Sequence, residues 1–326
     1  MQTFSVTGSD GLPLSCYQWL PTGVSAASAE PAGNEPADSE PVSNVRAVIH
    51  IAHGMSEHAL RYERFALALN EAGFAVIAND HRGHGRSVLK DRELGHMADE
   101  DGWHKAVNDL AVVNQHIQRR LPNTPIILLG HSMGSFMTQD YMARYGDTIS
   151  AAALSATNGP VGALLKVGQM LARFERRRLG ATGHSPVILS MVFGAYNRAF
   201  KPNRTEFDWL SRDEAEVDKY IADPLCGFEC STQTWNDMFT ALGTIASEHA
   251  LKKIDKTLPI YVFSGTDDPV GEKGKGVQRL LNAYQKQGLT QVTHQFYQDG
   301  RHELLSEINR EQVTADFIQW AKSVLN

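Results

Sequence analysis

The chain alternates between short apolar runs and longer stretches in which apolar residues recur every three or four positions. Thr3–Val6 and Leu14–Trp19 read as an opening hairpin, and Val45–Ala52, centred on Val48, Ile49 and Ile51, reads as a buried strand. Further short β-rich runs lie at Phe74–Ala78, Ile126–Leu129, Ala151–Ala156, Leu258–Ser264 and Val292–Tyr297. Helical patterns separate them over residues 59–72, 103–120, 134–145, 272–287 and 305–324. Strands that alternate with helices imply an α/β fold, with a mostly parallel central sheet flanked by helices on both faces. Reactive groups in such sheets gather beyond the carboxyl ends of the strands.

Two stretches depart from the alternation. Residues 160–250 hold no clear buried strand and read as helices over 161–178, 185–199, 211–222 and 231–249. The expected division is a core at 1–158, an inserted helical cap at 159–250 and the rest of the core at 251–326. Residues 22–44 are dominated by small, acidic and proline side chains. Such a composition buries too little surface to offset its ordering entropy, and it predicts a flexible loop between two strands.

Apolar residues make up 42% of the 326, enough for a large core, and the net charge of −6 argues against nucleic acid as a partner. Cys16, Cys226 and Cys230 are too few for a disulfide framework, which points to a reducing compartment and hence the cytoplasm. Cys226 and Cys230 stand in C-G-F-E-C without two further ligands at matching spacing, so they read as semi-buried residues in a helical stretch, not a metal site. The amino terminus has neither the basic nor the apolar region of a signal peptide, and no run of about 18 apolar residues predicts a membrane span.

Chemistry enters at Gly130-His131-Ser132-Met133-Gly134, which follows the Ile126–Leu129 run directly and opens a helix. A free serine is a poor nucleophile and must be aimed and deprotonated. A sharp strand-to-helix turn projects its hydroxyl above the sheet, and the flanking glycines remove side chains that would clash there. The Met133 amide, at the start of the helix, is a candidate oxyanion donor. His53-Gly54-Met55-Ser56-Glu57-His58 follows the Val45–Ala52 run, where a second donor is expected, and the Met55 amide is the candidate. His53 and His58 read as loop-bonding groups, and Glu57 and Arg61, four apart, as a scaffolding pair. Asn79–Ser87, with His81 and His84, reads as a rigid glycine-rich loop buttressing the site and not as a metal centre.

A serine nucleophile needs an imidazole base and a carboxylate to orient it. Ser264-Gly265-Thr266-Asp267-Asp268-Pro269-Val270 ends one late strand, and Asp299-Gly300-Arg301-His302-Glu303 follows the next. His302 is the candidate base. The acid is Asp268 or Asp267; Pro269 fixes the turn just after Asp268 and favours it. Asp299 and Glu303 lie too close to His302 in sequence to orient it and read as solvated or loop-bonding groups. Nothing in these motifs calls for a metal or another cofactor.

These stretches together resemble the monoacylglycerol lipase and lysophospholipase branch of the α/β-hydrolases, also called serine aminopeptidase-like hydrolases. The resemblance is carried by H-G-M-S-E-H-A-L-R-Y (53–62), N-D-H-R-G-H-G-R-S (79–87), G-H-S-M-G-S (130–135), S-G-T-D-D-P-V (264–270) and G-R-H-E (300–303), from about residue 45 to the end. It implies an α/β-hydrolase fold with a helical cap, a triad of Ser132, Asp268 and His302, and oxyanion amides from Met55 and Met133. The implied activity is hydrolysis of lipid esters through an acyl-enzyme. The 22–44 insertion departs from the family pattern, and the cap does not match the lipase's membrane-binding lid.

Specificity should sit in the cap. Leu164, Leu165, Met170, Met191, Phe193, Trp209, Trp235 and Phe239 are its apolar candidates for an acyl pocket, more than half of them expected simply to pack cap helices together. Arg173, Arg176, Arg177 and Arg178 suit a transient contact with an anionic membrane surface, although a solvated helix face is the plainer reading. An amidase with the same triad would need a carboxylate for a substrate amine, and Glu206, Asp208, Asp213 or Glu216 are the candidates. A non-catalytic hydrolase fold serving as a ligand sensor ranks last, because no triad member is missing.

Overall fold

The computed structural model describes residues 1–22, 45–88 and 93–325. Apart from Thr22, the stretch expected to be a flexible loop lies outside the described residues. The strands are β1 (Gln2–Thr7), β2 (Pro13–Trp19), β3 (Val48–Ala52), β4 (Ala75–Asn79), β5 (Ile126–His131), β6 (Ala151–Ser155), β7 (Ile260–Gly265) and β8 (Val292–Tyr297). They form one sheet in the order β1-β2-β4-β3-β5-β6-β7-β8. β1 and β2 form the expected antiparallel hairpin, β2 runs antiparallel to β4, and every later pairing is parallel.

Strands β3 to β7 are buried along their whole length, which is why their sequences read as unbroken apolar runs. Their period of two sorts side chains to opposite faces. Val48, Leu128, Leu154 and Val262 face one core with Trp103, Leu110 and Tyr141. Ile49, Ile51, Leu129 and Phe263 face the other with Phe65, Phe317 and Trp320. The covering helices are α1 (Glu63–Glu71), α2 (Gly102–Arg120), α3 (Met133–Tyr145), α9 (Lys275–Lys286) and α10 (Arg310–Ser323).

Between β6 and β7 stand α4 (Ala163–Leu179), α5 (Pro186–Arg198), α6 (Glu214–Ala222), α7 (Thr232–Leu242) and α8 (Glu248–Leu251). Two expected helices differ in extent. The one read at 211–222 starts at Glu214, because the Asp213 carboxylate accepts from the amides of Ala215 and Glu216 and caps it. The one read at 231–249 is two: α7 stops at Gly243, and Ser247 caps a fresh helix by accepting from the Ala250 amide. Cys226 and Cys230 lie in the segment joining α6 to α7 and not in a helix, since the chain turns at Gly227 with φ +70°. Among the described residues no helix is long and apolar enough to cross a membrane.

Candidate active site

Because β3 to β8 run parallel, the loops that follow β3, β5, β7 and β8 open at one edge of the sheet. Ser132 is the single residue between β5 and α3, with φ 52° and ψ −117°, a conformation strained for a residue with a side chain. Its amide donates to the Ser155 carbonyl at 3.0 Å, tying the turn to β6. A Cβ on Gly134 would run into the carbonyl oxygens of Ala52 and His53, and one on Gly130 into the Gly134 carbonyl and the Thr138 hydroxyl. The turn exists because neither residue has a side chain.

Asp268 is completely buried after β7, and its Oδ1 lies 2.9 Å from His302 Nδ1. The same oxygen accepts from the Val270 amide at 2.9 Å, which fixes the carboxylate. Asp267 points outward and pairs with Lys273 at 3.5 Å. Burial by itself would lower the His302 pKa. The Asp268 charge and hydrogen bond, with Glu303 and Glu57 nearby, reverse this and leave it above its ordinary value. The His131 ring sits 4.9 Å from the His302 ring; burial, then the His302 charge, push its pKa down to about 4.

The loop after β3 is held by a buried ion network. Glu57 Oε1 accepts from the Gly54 amide at 2.5 Å and from the Tyr62 hydroxyl at 2.9 Å, and Glu57 Oε2 accepts from Arg61 at 2.6 Å. Of the two roles its sequence position suggested, solvated or loop-bonding, Glu303 takes the second: it is buried and accepts two hydrogen bonds from Arg61 at 2.6 and 2.7 Å. Arg61 thus joins the Met55 loop to the His302 loop. Burial favours the neutral form of Glu57, but Arg61 and His131 outweigh it and leave the carboxyl below its usual range.

The histidines nearby are loop-bonding groups. His53 donates from Nδ1 to the Gly54 carbonyl at 2.7 Å and accepts the His81 amide on Nε2 at 2.9 Å. Burial drives the pKa of His53 and His81 well down and that of His84 to about 4, so all three are neutral. His58 Nε2 meets Asp223 at 2.8 Å. Cys226 joins this pair, the ligand-type atoms of the three lying within 4.8 Å of one another, so the fold supplies neighbours for Cys226 that no sequence spacing revealed.

Ser132, His302, Met55, Phe193 and Trp209 line one cavity of about 470 Å³. Met133, the first residue of α3, is buried and is not part of that wall. Leu189, Phe193 and Asn197, four residues apart on α5, face the cavity, so Met191, half a turn away, does not line it. Leu164 is 75% exposed on α4 and lies outside it. Phe239 is buried against Trp235 and Gly168, packing α7 under α4, and does not line it either. Leu165, Met170 and Trp235 are likewise absent from the wall. Sequence reading missed Leu210, Tyr220 and Phe228, because they come from irregular segments and a helix whose inward face only the packing defines. Of the carboxylates considered for an amine, Glu206 lines the cavity, whereas Asp208 accepts from the Arg204 and Thr205 amides, Asp213 pairs with Arg310 and Glu216 with Arg64.

This sheet, this turn and the buried imidazole–carboxylate pair are those of an α/β-hydrolase. The model of the serine aminopeptidase S33 family matches residues 43–309, and the chain belongs to that family. It is 30% identical to a monoacylglycerol lipase of Mycolicibacterium smegmatis over 290 residues, 87% of this chain and 91% of that one. It is 27% identical to the human monoglyceride lipase over 311 residues, covering 93% and 84% of the two chains. A solved structure of a thermostable carboxyl esterase from Bacillus coagulans with glycerol superposes with a TM-score of 0.85 at 25% identity, covering 100% of this chain and 99% of that one.

Proposed function

We propose that this chain is a carboxylic ester hydrolase acting on single-chain lipid esters of the monoacylglycerol or lysophospholipid kind, with Ser132 as nucleophile. The observation that carries the reading is the buried Asp268–His302 pair opening with Ser132 onto one cavity. The Ser132 oxygen attacks the ester carbonyl carbon as His302 takes its proton. The amides of Met55 and Met133 stabilise the oxyanion. The tetrahedral intermediate collapses, the alcohol leaves with the proton from His302, and water deacylates the serine by the same steps. Leu189, Phe193, Phe207 and Leu210 offer an apolar wall for an acyl chain, while Asn197, Glu57 and Glu303 offer polar groups for a small alcohol. The lipid relatives named above support the substrate class. In this reading the helices between β6 and β7 are the cap, residues 159–250, and the three free cysteines suit the cytoplasm.

Access from a lipid surface belongs to the same proposal. Leu164, Val167, Met170 and Phe174, all at least half exposed, share one side of α4. Lys166, Arg173 and Arg177 run beside them, and the helix's one acid, Glu175, is buried against Arg178 and Ser185. An apolar stripe flanked by cations suits an anionic interface.

A second reading, hydrolysis of amides bearing a free amine, is favoured by Glu206 and Glu229 in the cavity wall. The test is labelling and turnover. A fluorophosphonate should label the protein stoichiometrically and Ser132→Ala not at all. Nitrophenyl esters of increasing length, monoacylglycerol, lysophospholipid and matched amides should show turnover on the esters. Activity on peptides with none on esters would overturn the proposal.

A further inference from the structure

The indole of Trp209 lies against the His302 imidazole, ring centroids 4.9 Å apart and planes inclined at 39°. Trp209 is 5% exposed. Phe193 stacks on it at 5.7 Å and 22°, Tyr196 packs at 5.2 Å, and its amide donates to Asn197 Oδ1 at 3.1 Å. The surrounding segment is laced to the loop that carries His302. The His302 amide donates to the Trp209 carbonyl at 3.4 Å and the Glu303 amide to the Leu210 carbonyl at 2.7 Å. Ser211 donates to the Ser306 carbonyl at 2.8 Å, and Arg212 pairs with Glu307 at 2.9 Å. An inserted segment whose sole duty was to wall the acyl pocket would not need four consecutive residues, Trp209 to Arg212, strapped to the loop that carries the base.

We propose that Trp209 is a positioning residue for His302, its indole face holding the imidazole in place and stabilising the imidazolium formed when the serine proton is taken. The electron-rich face of an indole attracts a cation within about 6 Å of its centroid, and more strongly where water is excluded. The other groups that face His302 are Asp268 from the loop after β7, His131 from the elbow, Glu57 from the loop after β3 and Glu303 beside it on the chain, the last two being paired with Arg61. Neutral His131 leaves Trp209 as the aromatic face that favours the charged ring. The inserted segment and the base are therefore tied to one another, and loss of Trp209 reaches the chemistry as well as the acyl wall.

The proposal rests on His302 being the general base, so its test separates the two. Tryptophan is replaced biosynthetically by fluorinated tryptophans, which keep the ring's shape and weaken its negative face, in the wild-type chain and in Trp209→Phe. The acid limb of kcat/KM on a short nitrophenyl ester should move to lower pH with each added fluorine, by about half a unit in total. Fluorination should have no such effect in Trp209→Phe. Trp209→Leu should lower kcat roughly tenfold on the same short ester with KM little changed, whereas a merely structural side chain would leave the acid limb in place. A limb indifferent to fluorination, or one that moves equally in Trp209→Phe, overturns the proposal. The His302 ring titration followed by NMR gives the same answer without turnover, so a chain inactive on esters would sink only the function reading.

Discussion

Arg61 and Glu303 face each other through two parallel hydrogen bonds of 2.6 and 2.7 Å, although 242 residues separate them in the chain. With Glu57 on the same guanidinium, the pair couples the loop carrying Met55 to the loop carrying His302. Arg61→Met would leave two buried carboxylates without their cation and should cost about 3–5 kcal/mol. Urea unfolding measures it. Arg61→Lys loses the fork geometry and should fall between. A Met variant as stable as the parent would show that the network is not supporting the site.

The acid of the proposed triad can be separated from its neighbour. Asp268→Asn keeps the shape and loses the charge that holds the His302 tautomer, so kcat should drop on the order of 10⁴-fold. Asp267→Asn, in an exposed pair with Lys273, should stay within about twofold of the parent, since such pairs contribute little. Equal losses in the two would contradict the assignment.

Stability should fall on mild acidification. His53, His81, His84 and His131 are buried and neutral, and their folded pKa values lie below the ordinary 6.5, at about 4 for the last two. Well above pH 6.5 neither the folded nor the unfolded chain protonates them, and they contribute nothing. Below 6.5 the unfolded chain takes up protons that the folded chain refuses, and stability is lost until the folded groups titrate. His302, with its pKa raised, opposes this as one group against four. Urea midpoints should be nearly level from pH 7 to 8 and decline from pH 6.5 towards 4.5. A midpoint that holds steady through that interval would refute the account.

The stripe on α4 predicts association with anionic vesicles. The parent should sediment with phosphatidylglycerol vesicles, less so at high salt because the cationic flank is screened. Replacing Leu164, Val167, Met170 and Phe174 together by Ser should abolish sedimentation and spare turnover of a short soluble ester, because none of the four lines the cavity. Unchanged sedimentation of that variant would remove the face from the proposal.

The sequence by itself determined what depends on neighbours along the chain. The central strands β3 to β7 were legible because burial on both faces demands continuous apolar residues, and the helices because one-sided burial demands a period near 3.6. The elbow at Ser132 was legible because only glycine fits at positions 130 and 134. What required the fold were relations between distant segments. Asp268 and not Asp267 meets His302, because the turn after β7 sends adjacent side chains in opposite directions. Glu303 is buried with Arg61 beside it to neutralise its charge, a partner 242 residues away in the chain. The cavity wall went to Leu189, Phe193 and Trp209 in place of Leu164, Met191 and Phe239, since the inward side of each inserted helix is set by what it packs against. Apolarity marks a residue for burial, but the partner that buries it is chosen in three dimensions.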